Sequence, residues 1–126
     1  MQLHALVGGS AEVIGPEASL VDAAERMVER EVGYLAVISR RNLVGILTEH
    51  DLVQATSEGV DPAEAVVEDW MSEAPDTVPS DVSIREAAAW LIEAGYHHLP
   101  VMDGGELLGI VTVKDLLWAM LDSQPV

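Results

Sequence analysis

The stretch Gly45–Leu52 reads GILTEHDL, and the stretch Gly109–Leu116 reads GIVTVKDL. They stand 64 residues apart, and at that offset the rest of the chain falls into register without a gap. Ser19 lies over Ser83, Ala23-Ala24 over Ala87-Ala88, Leu35 over Leu99, Val37 over Val101 and Leu43 over Leu107. Most identical pairs sit at apolar or turn positions, where a fold restricts the choice of residue. A chain of 126 residues that spells itself twice is two copies of one supersecondary unit, each with too little core to stand alone. The repeats divide as residues 1–59 and 60–126, the second beginning with a linker.

Each copy parses the same way. Leu20, Ala23, Ala24, Met27 and Val28 recur at the spacing of one helix face, as do Ile84, Ala87, Ala88, Leu91 and Ile92. Ser83 with Glu86 is a capping box, Ser19 with Asp22 a weaker form of it, and Gly95 closes the second helix. Two short apolar runs follow each helix: YLAVI and LVGIL, then HLPVM and LLGIV. The turns SRRN and DGGE join them, the latter with Asp-Gly hairpin chemistry. A further helix begins around Asp51 and around Asp115. Pro100 predicts a strand at a sheet edge or bulged at that point. Asp61-Pro62 opens a short linker helix, PAEAVVEDWM. The expected architecture is α/β of the α+β kind. Two β-α-β-β-α repeats pack sheet to sheet with pseudo-twofold symmetry, leaving one cleft at each Thr-x-x-Asp.

The formal net charge is −16, with 22 acids against five arginines and Lys114. No cluster of these basic residues can face a nucleic-acid backbone. An anionic ligand would need local cations against this overall field. No apolar run approaches the ~18 residues of a membrane span. The start, MQLHALVGGSAEV, lacks the charged and apolar regions of a leader. The chain has no cysteine, which removes disulfides, thiol nucleophiles and cysteine-ligated metals together. A cytoplasmic protein with neither nucleic-acid nor membrane partners is expected.

Thr48 with Asp51, and Thr112 with Asp115, fit an N-cap and an acid three residues later, and capping alone would explain the pattern. The same geometry suits a ligand. Free N–H groups at a helix start attract anions, and a carboxylate there can accept two hydrogen bonds from a vicinal diol such as a ribose.

An extended lead-in, the S-[LI]-x-[DE]-A-A helix, the [YH]-L-x-V strand, the L-[VL]-G-I-[LV]-T-x-x-D-L finish and the doubling resemble cystathionine-β-synthase (CBS) domains. A tandem pair of these forms a Bateman module. The resemblance covers residues 3 to 122 and leaves no room for a catalytic or transport domain, so a stand-alone CBS pair is expected. It implies a regulatory role and an adenosyl ligand (AMP, ADP, ATP or S-adenosylmethionine) held between the sheets, with no other cofactor. In the second cleft the resemblance assigns ribose to Asp115 and Thr112, the lead-in to Thr77, Val78 and Pro79, adenine to Ile110 and phosphate to His97 and His98. In the first it assigns Asp51, Thr48, Val13 and Ile14, with Gly15 beside them. Gly33 and Tyr34 replace the histidines there, with His50 or Arg40 as possible substitutes, so a single competent site at Asp115 is expected.

Other readings carry less. Adjacent strand residues point to opposite faces, so His97 and His98 cannot easily hold one metal ion. There is no G-x-S-x-G, no P-loop and no G-x-G-x-x-G, so no catalytic residue is named and an enzyme is not expected. The helix DLLWAMLD is apolar on more than one face. With Leu116, Ala119 and Met120 inward, Leu117, Trp118 and Leu121 turn outward, and Trp90 lies off its own helix's core stripe. Such a patch marks an interface or closes the chain's own core. CBS pairs dimerise through these helices, so the resemblance implies a homodimer. The alternative is a ligand-free dimerisation or interaction module.

Overall fold

The computed structural model describes residues 2–3, 11–73 and 76–122, so the outer repeat limits at 1 and 126 lie outside the described residues. In the first repeat β1 (Val13–Ile14) leads into α1 (Leu20–Arg30), β2 (Tyr34–Ser39), β3 (Asn42–Thr48) and α2 (Glu49–Ser57). After β4 (Ser72–Glu73) the order recurs as β5 (Val78–Pro79), α3 (Ile84–Ala94), β6 (His98–Asp103), β7 (Glu106–Thr112) and α4 (Val113–Asp122). The β-α-β-β-α order expected from the repeat is therefore present twice in an α+β fold.

Local chemistry explains the elements. Ser19 Oγ accepts from the Asp22 N–H, and Ser83 Oγ from the Glu86 N–H, each at 3.1 Å, so both lead-in helices start on a serine cap. Each lead-in strand pairs in parallel with the first hairpin strand, and each hairpin is antiparallel with a register shift between Val37 and Ile38 or between Val101 and Met102. The sheets run β1-β2-β3-β4 and β5-β6-β7. Pro100 therefore lies on a middle strand, not at an edge. Its missing N–H is tolerated because the ladder to β5 begins one residue later, at Val101 with Val78. Gly45 sits where β4 crosses closely: a Cβ there would stand 2.5 Å from Met71 Sδ and 2.7 Å from the Ser72 carbonyl oxygen.

Leu20, Ala23, Met27, Leu35, Val37 and Leu47 belong to the first core, and Ile84, Ala87, Leu91, Leu99, Val101 and Val111 to the second. Val28 and Ile92 were expected on the core stripe but are 78% and 77% exposed. Each lies eight residues past the first core position of its helix, about 80° round at ~100° per residue, and farther from the stripe's centre.

The compact units cross the repeat boundaries. One is Glu12–Pro75, and the other joins Met1–Ala11 to Asp76–Val126. Val67 is buried in the first core and Leu3, its counterpart 64 residues earlier, in the second, where its N–H donates to the Val82 carbonyl at 3.0 Å. The expected linker helix does not form. Leu20 N–H donates to Ala65 O (3.0 Å), Val67 N–H to Ala18 O (2.9 Å), and extended Val66 bridges Ser19, so this backbone is spent on the start of α1. Only a 3-10 turn, Val67–Asp69, remains.

Candidate functional site

In the second repeat Thr112 ends β7 and Asp115 lies in the first turn of α4. Asp115 Oδ2 accepts from the Thr112 N–H at 2.9 Å, and Thr112 Oγ1 accepts from the Asp115 N–H at 3.2 Å. This is a reciprocal capping box. The first repeat builds the same box: Asp51 Oδ2 accepts from the Thr48 N–H (2.8 Å) and hydroxyl (3.1 Å), and Thr48 Oγ1 accepts from the Asp51 N–H (3.4 Å). The cap thus engages one carboxylate oxygen. Among the described residues no donor reaches either Oδ1.

Strand register gathers further side chains. His98 pairs with Thr112 and Pro100 with Ile110. Leu99, Val101 and Val111 belong to the core, so by alternation the paired four share the opposite sheet face. Thr77 is exposed beside β5, which lies across β6 from β7, about 10 Å away at two strand spacings. Val78 is 8% exposed and belongs to the second core, and Ile110 is 7% exposed. Ile14 is likewise 5% exposed in the first core, while Val13 is 42% exposed. Strand alternation sends one residue of each lead-in inward. His97 is exposed just before β6, and Pro79 is also exposed.

The two repeats differ most around position 33/97. The Glu49 N–H donates to the Gly33 carbonyl at 3.0 Å, and the Glu49 carboxylate lies over Gly33 where a Cβ would project. Val113 holds the equivalent position at the start of α4. The first repeat therefore sets an anion where the second carries His97. Arg40 is no substitute: it caps the far end of the β2–β3 hairpin, about 20 Å from Thr48 at ~3.4 Å per residue along β3. His50 is exposed in the first turn of α2.

The lead-ins are also anchored differently. In the first repeat the Ala36 N–H donates to the Glu12 carbonyl (2.9 Å), an Arg26 guanidinium N–H donates to the Val13 carbonyl, and Arg30 lies 3.8 Å from the Glu12 carboxylate. In the second, Pro100 replaces Ala36 and offers no N–H. Instead the Tyr96 hydroxyl donates to the Asp76 carboxylate, and that carboxylate raises the Tyr96 pKa above its ordinary value, by hydrogen bond first and by charge second. Trp90 meets the Tyr96 ring edge-on, centroids 5.8 Å apart, and is half-buried against the second core. Of the four side chains expected at an interface, only Leu117, Trp118 and Leu121 stand out, 56%, 59% and 65% exposed.

Two β-α-β-β-α units, each with a Thr-x-x-Asp helix start, define a tandem module of small regulatory domains. The CBS-domain family model matches residues 10–58 and 67–122, and the chain belongs to that family as a tandem CBS pair. An uncharacterized 17.7 kDa protein of Acidianus ambivalens is 36% identical over 112 residues, which cover 87% of this chain and 67% of the relative. The CBS-domain structure NE2398 superposes with a TM-score of 0.89 at 27% identity, over 96% of this chain and 98% of that one. CBSX2, solved in complex with AMP, gives a TM-score of 0.80 at 31% identity over 91% of both chains. No helix among the described residues is long and apolar enough to cross a membrane. No group of three or more potential metal ligands occurs among the described residues.

Proposed function

We propose that this CBS pair is a cytoplasmic, non-catalytic sensor that binds an adenine nucleotide in its second repeat and relays that binding to a protein partner. The observation that carries the reading is the Asp115 carboxylate, held by the cap through Oδ2 with Oδ1 left for ribose hydroxyls. Thr112, Ile110 and His98 share one sheet face beside it, and the Thr77–Pro79 lead-in lies about 10 Å across β6. His98 on that face, with His97 just before β6, stands where the family resemblance assigns phosphate in a chain of net charge −16. The Glu49 carboxylate over Gly33 opposes phosphate in the first repeat, which makes Asp115 the working site and Asp51 a cap. The AMP carried by CBSX2 supports this ligand class.

Calorimetric titration of AMP, ADP, ATP and S-adenosylmethionine into the wild type, Asp115→Ala and Asp51→Ala tests the site. Binding lost in Asp115→Ala and kept in Asp51→Ala is expected. No binding of any of the four would make the module a ligand-free interaction domain. The same reading has the chain act as a homodimer through the exposed face of α4. Trp118→Glu should then yield monomers by light scattering, and a monomeric wild type at tens of micromolar, an order of magnitude typical of a moderate interface, would refute the dimer.

A further inference from the structure

The two lead-ins are tied at the same position by different means. Asp76 is the counterpart of Glu12, Pro100 of Ala36, Trp90 of Arg26 and Ala94 of Arg30, each 64 residues on. In the first repeat three contacts meet at Glu12 and Val13: the Ala36 N–H on the Glu12 carbonyl, the Arg26 guanidinium on the Val13 carbonyl, and Arg30 beside the Glu12 carboxylate. None of these three donors is retained in the second repeat, where proline, tryptophan and alanine replace them. The strand register is nevertheless the same, with Ile14 opposite Val37 and Val78 opposite Val101. What reaches the second lead-in ahead of β5 is the Tyr96 hydroxyl, which donates to the Asp76 carboxylate. Tyr96 is itself fixed from two sides. Gly95 turns left-handed, φ 75°, and the Tyr96 N–H donates back to the Leu91 carbonyl at 3.1 Å, which ties its backbone to the end of α3. Trp90, packed against the second core, meets the phenol ring edge-on at 5.8 Å. Beyond the two residues of β5 the Ser80 N–H donates to the Met102 carbonyl at 2.9 Å. The backbone therefore holds one end of this lead-in and the bond from Tyr96 holds the other.

We infer that Tyr96 and Asp76 are positioning residues for the nucleotide: their bond fixes the lead-in before the ligand arrives, and with it Thr77, which follows Asp76 directly. This rests on the nucleotide reading above and adds what sets the geometry of its lead-in. A contact group already in place costs less to order on binding than one that must be drawn in. Loss of the bond is therefore read as weaker binding. The second core stays packed, because neither Tyr96 nor Asp76 belongs to it. Both residues are exposed and the bond is a single one, so its effect is smaller than that of Asp115.

Calorimetric titration of AMP, ADP, ATP and S-adenosylmethionine into a set of variants tests the pair. Tyr96→Phe keeps the ring, and Asp76→Ala removes the acceptor. Each should weaken binding by roughly two- to fourfold, in keeping with the loss of one exposed hydrogen bond. The double variant should bind no more weakly than either single one, because the same bond is lost in all three. Asp76→Asn keeps an acceptor oxygen and should bind at least as tightly as the wild type. Pro100→Ala in the Tyr96→Phe background should bring affinity back, since it restores the N–H that holds the lead-in of the first repeat. Wild-type affinity in Tyr96→Phe overturns the inference and leaves the nucleotide site standing. Additive losses in the double variant overturn it too, as does equal behaviour of Asp76→Asn and Asp76→Ala, which would make Asp76 a charge and nothing more. Urea midpoints of the same samples separate positioning from folding: a loss of affinity that follows the midpoint and is not restored by Pro100→Ala would make Tyr96 a structural residue only. If the wild type binds none of the four ligands, the site itself falls and the positioning role with it.

Discussion

The two lead-in strands do the same job with different chemistry. In the first repeat β1 is tied by a backbone bond from Ala36 and by two arginines of α1. In the second, Pro100 cancels the backbone bond, and a side-chain bond from Tyr96 to Asp76 takes its place. The difference extends to the helix that follows each hairpin, where Glu49 covers Gly33 while Val113 stands at the equivalent position of the second repeat. Apolar positions have kept the fold alike in both copies. The polar positions have diverged, at the anchoring of the lead-ins and around position 33/97.

The sharpest way to break this contrast is to exchange the residues at 36 and 100. Ala36→Pro removes the N–H that donates to Glu12 from a fully buried position on a middle strand. It should cost about 3 kcal/mol or more, read as a lower urea midpoint. Pro100→Ala restores an N–H where none is used now and should change stability by no more than about 1 kcal/mol, since the possible bond and the lost rigidity of proline oppose each other. Equal losses at the two positions would mean that the lead-ins are anchored alike.

The next effect concerns binding. Asp115→Ala should weaken the nucleotide by about 1.5–3 kcal/mol, roughly ten- to a hundredfold. Both Asp→Ala variants should also lose about 1 kcal/mol of stability, because each breaks a capping box. Glu49→Ala should improve any weak phosphate binding in the first repeat, and no change there would remove the electrostatic account of the asymmetry. Calorimetry on folded protein reads all three.

Features set by a few neighbouring residues were legible before the fold. The caps at Ser19 and Ser83, the hairpin breaks and the repeated order follow from local propensities that the 64-residue offset made visible twice. Features set by what packs where were not. The linker reads as a helix because its intrinsic propensity favours one, but its N–H and C=O groups are taken by the start of α1. That Val78 and Ile14 point into the cores follows from strand alternation in lead-ins too short to announce it. The carboxylate over Gly33 depends on the bond from Glu49 across the end of β2, which no spacing in the sequence announces.

A smaller effect tests how faithfully the backbone was duplicated. Glu31, Arg40 and Arg41 all have positive φ, and their counterparts Gly95, Gly104 and Gly105 do as well. The first repeat thus holds three side chains in a conformation that disfavours them. Arg41→Gly should stabilise the chain by about 0.5–1 kcal/mol after the entropy of the added glycine is counted, and Gly105→Arg should destabilise it by a similar amount. A urea midpoint that moves the other way in both would show that the side chains of the Arg40-Arg41 turn contribute contacts that outweigh the strain.

The smallest effect is specific to the second lead-in. The Tyr96 phenol must keep its proton to donate to Asp76, and the adjacent carboxylate disfavours the phenolate, so its pKa is raised in the folded chain. A raised pKa means that the folded state holds this proton to higher pH than the unfolded state does. The contribution is therefore fully present below the ordinary tyrosine value of about 10 and is lost as pH climbs through the raised one. Tyr96→Phe keeps the ring against Trp90 and deletes only the hydroxyl. It should lower stability slightly at neutral pH, weaken nucleotide binding by loosening the lead-in beside Thr77, and flatten the alkaline loss of stability relative to wild type. Val32→Tyr, the matching change in the first repeat, lacks the freed lead-in and should leave binding unaltered. Parallel stability curves for wild type and Tyr96→Phe from pH 7 to well above the tyrosine range, together with unchanged nucleotide affinity, would show that the bond to Asp76 holds nothing in place.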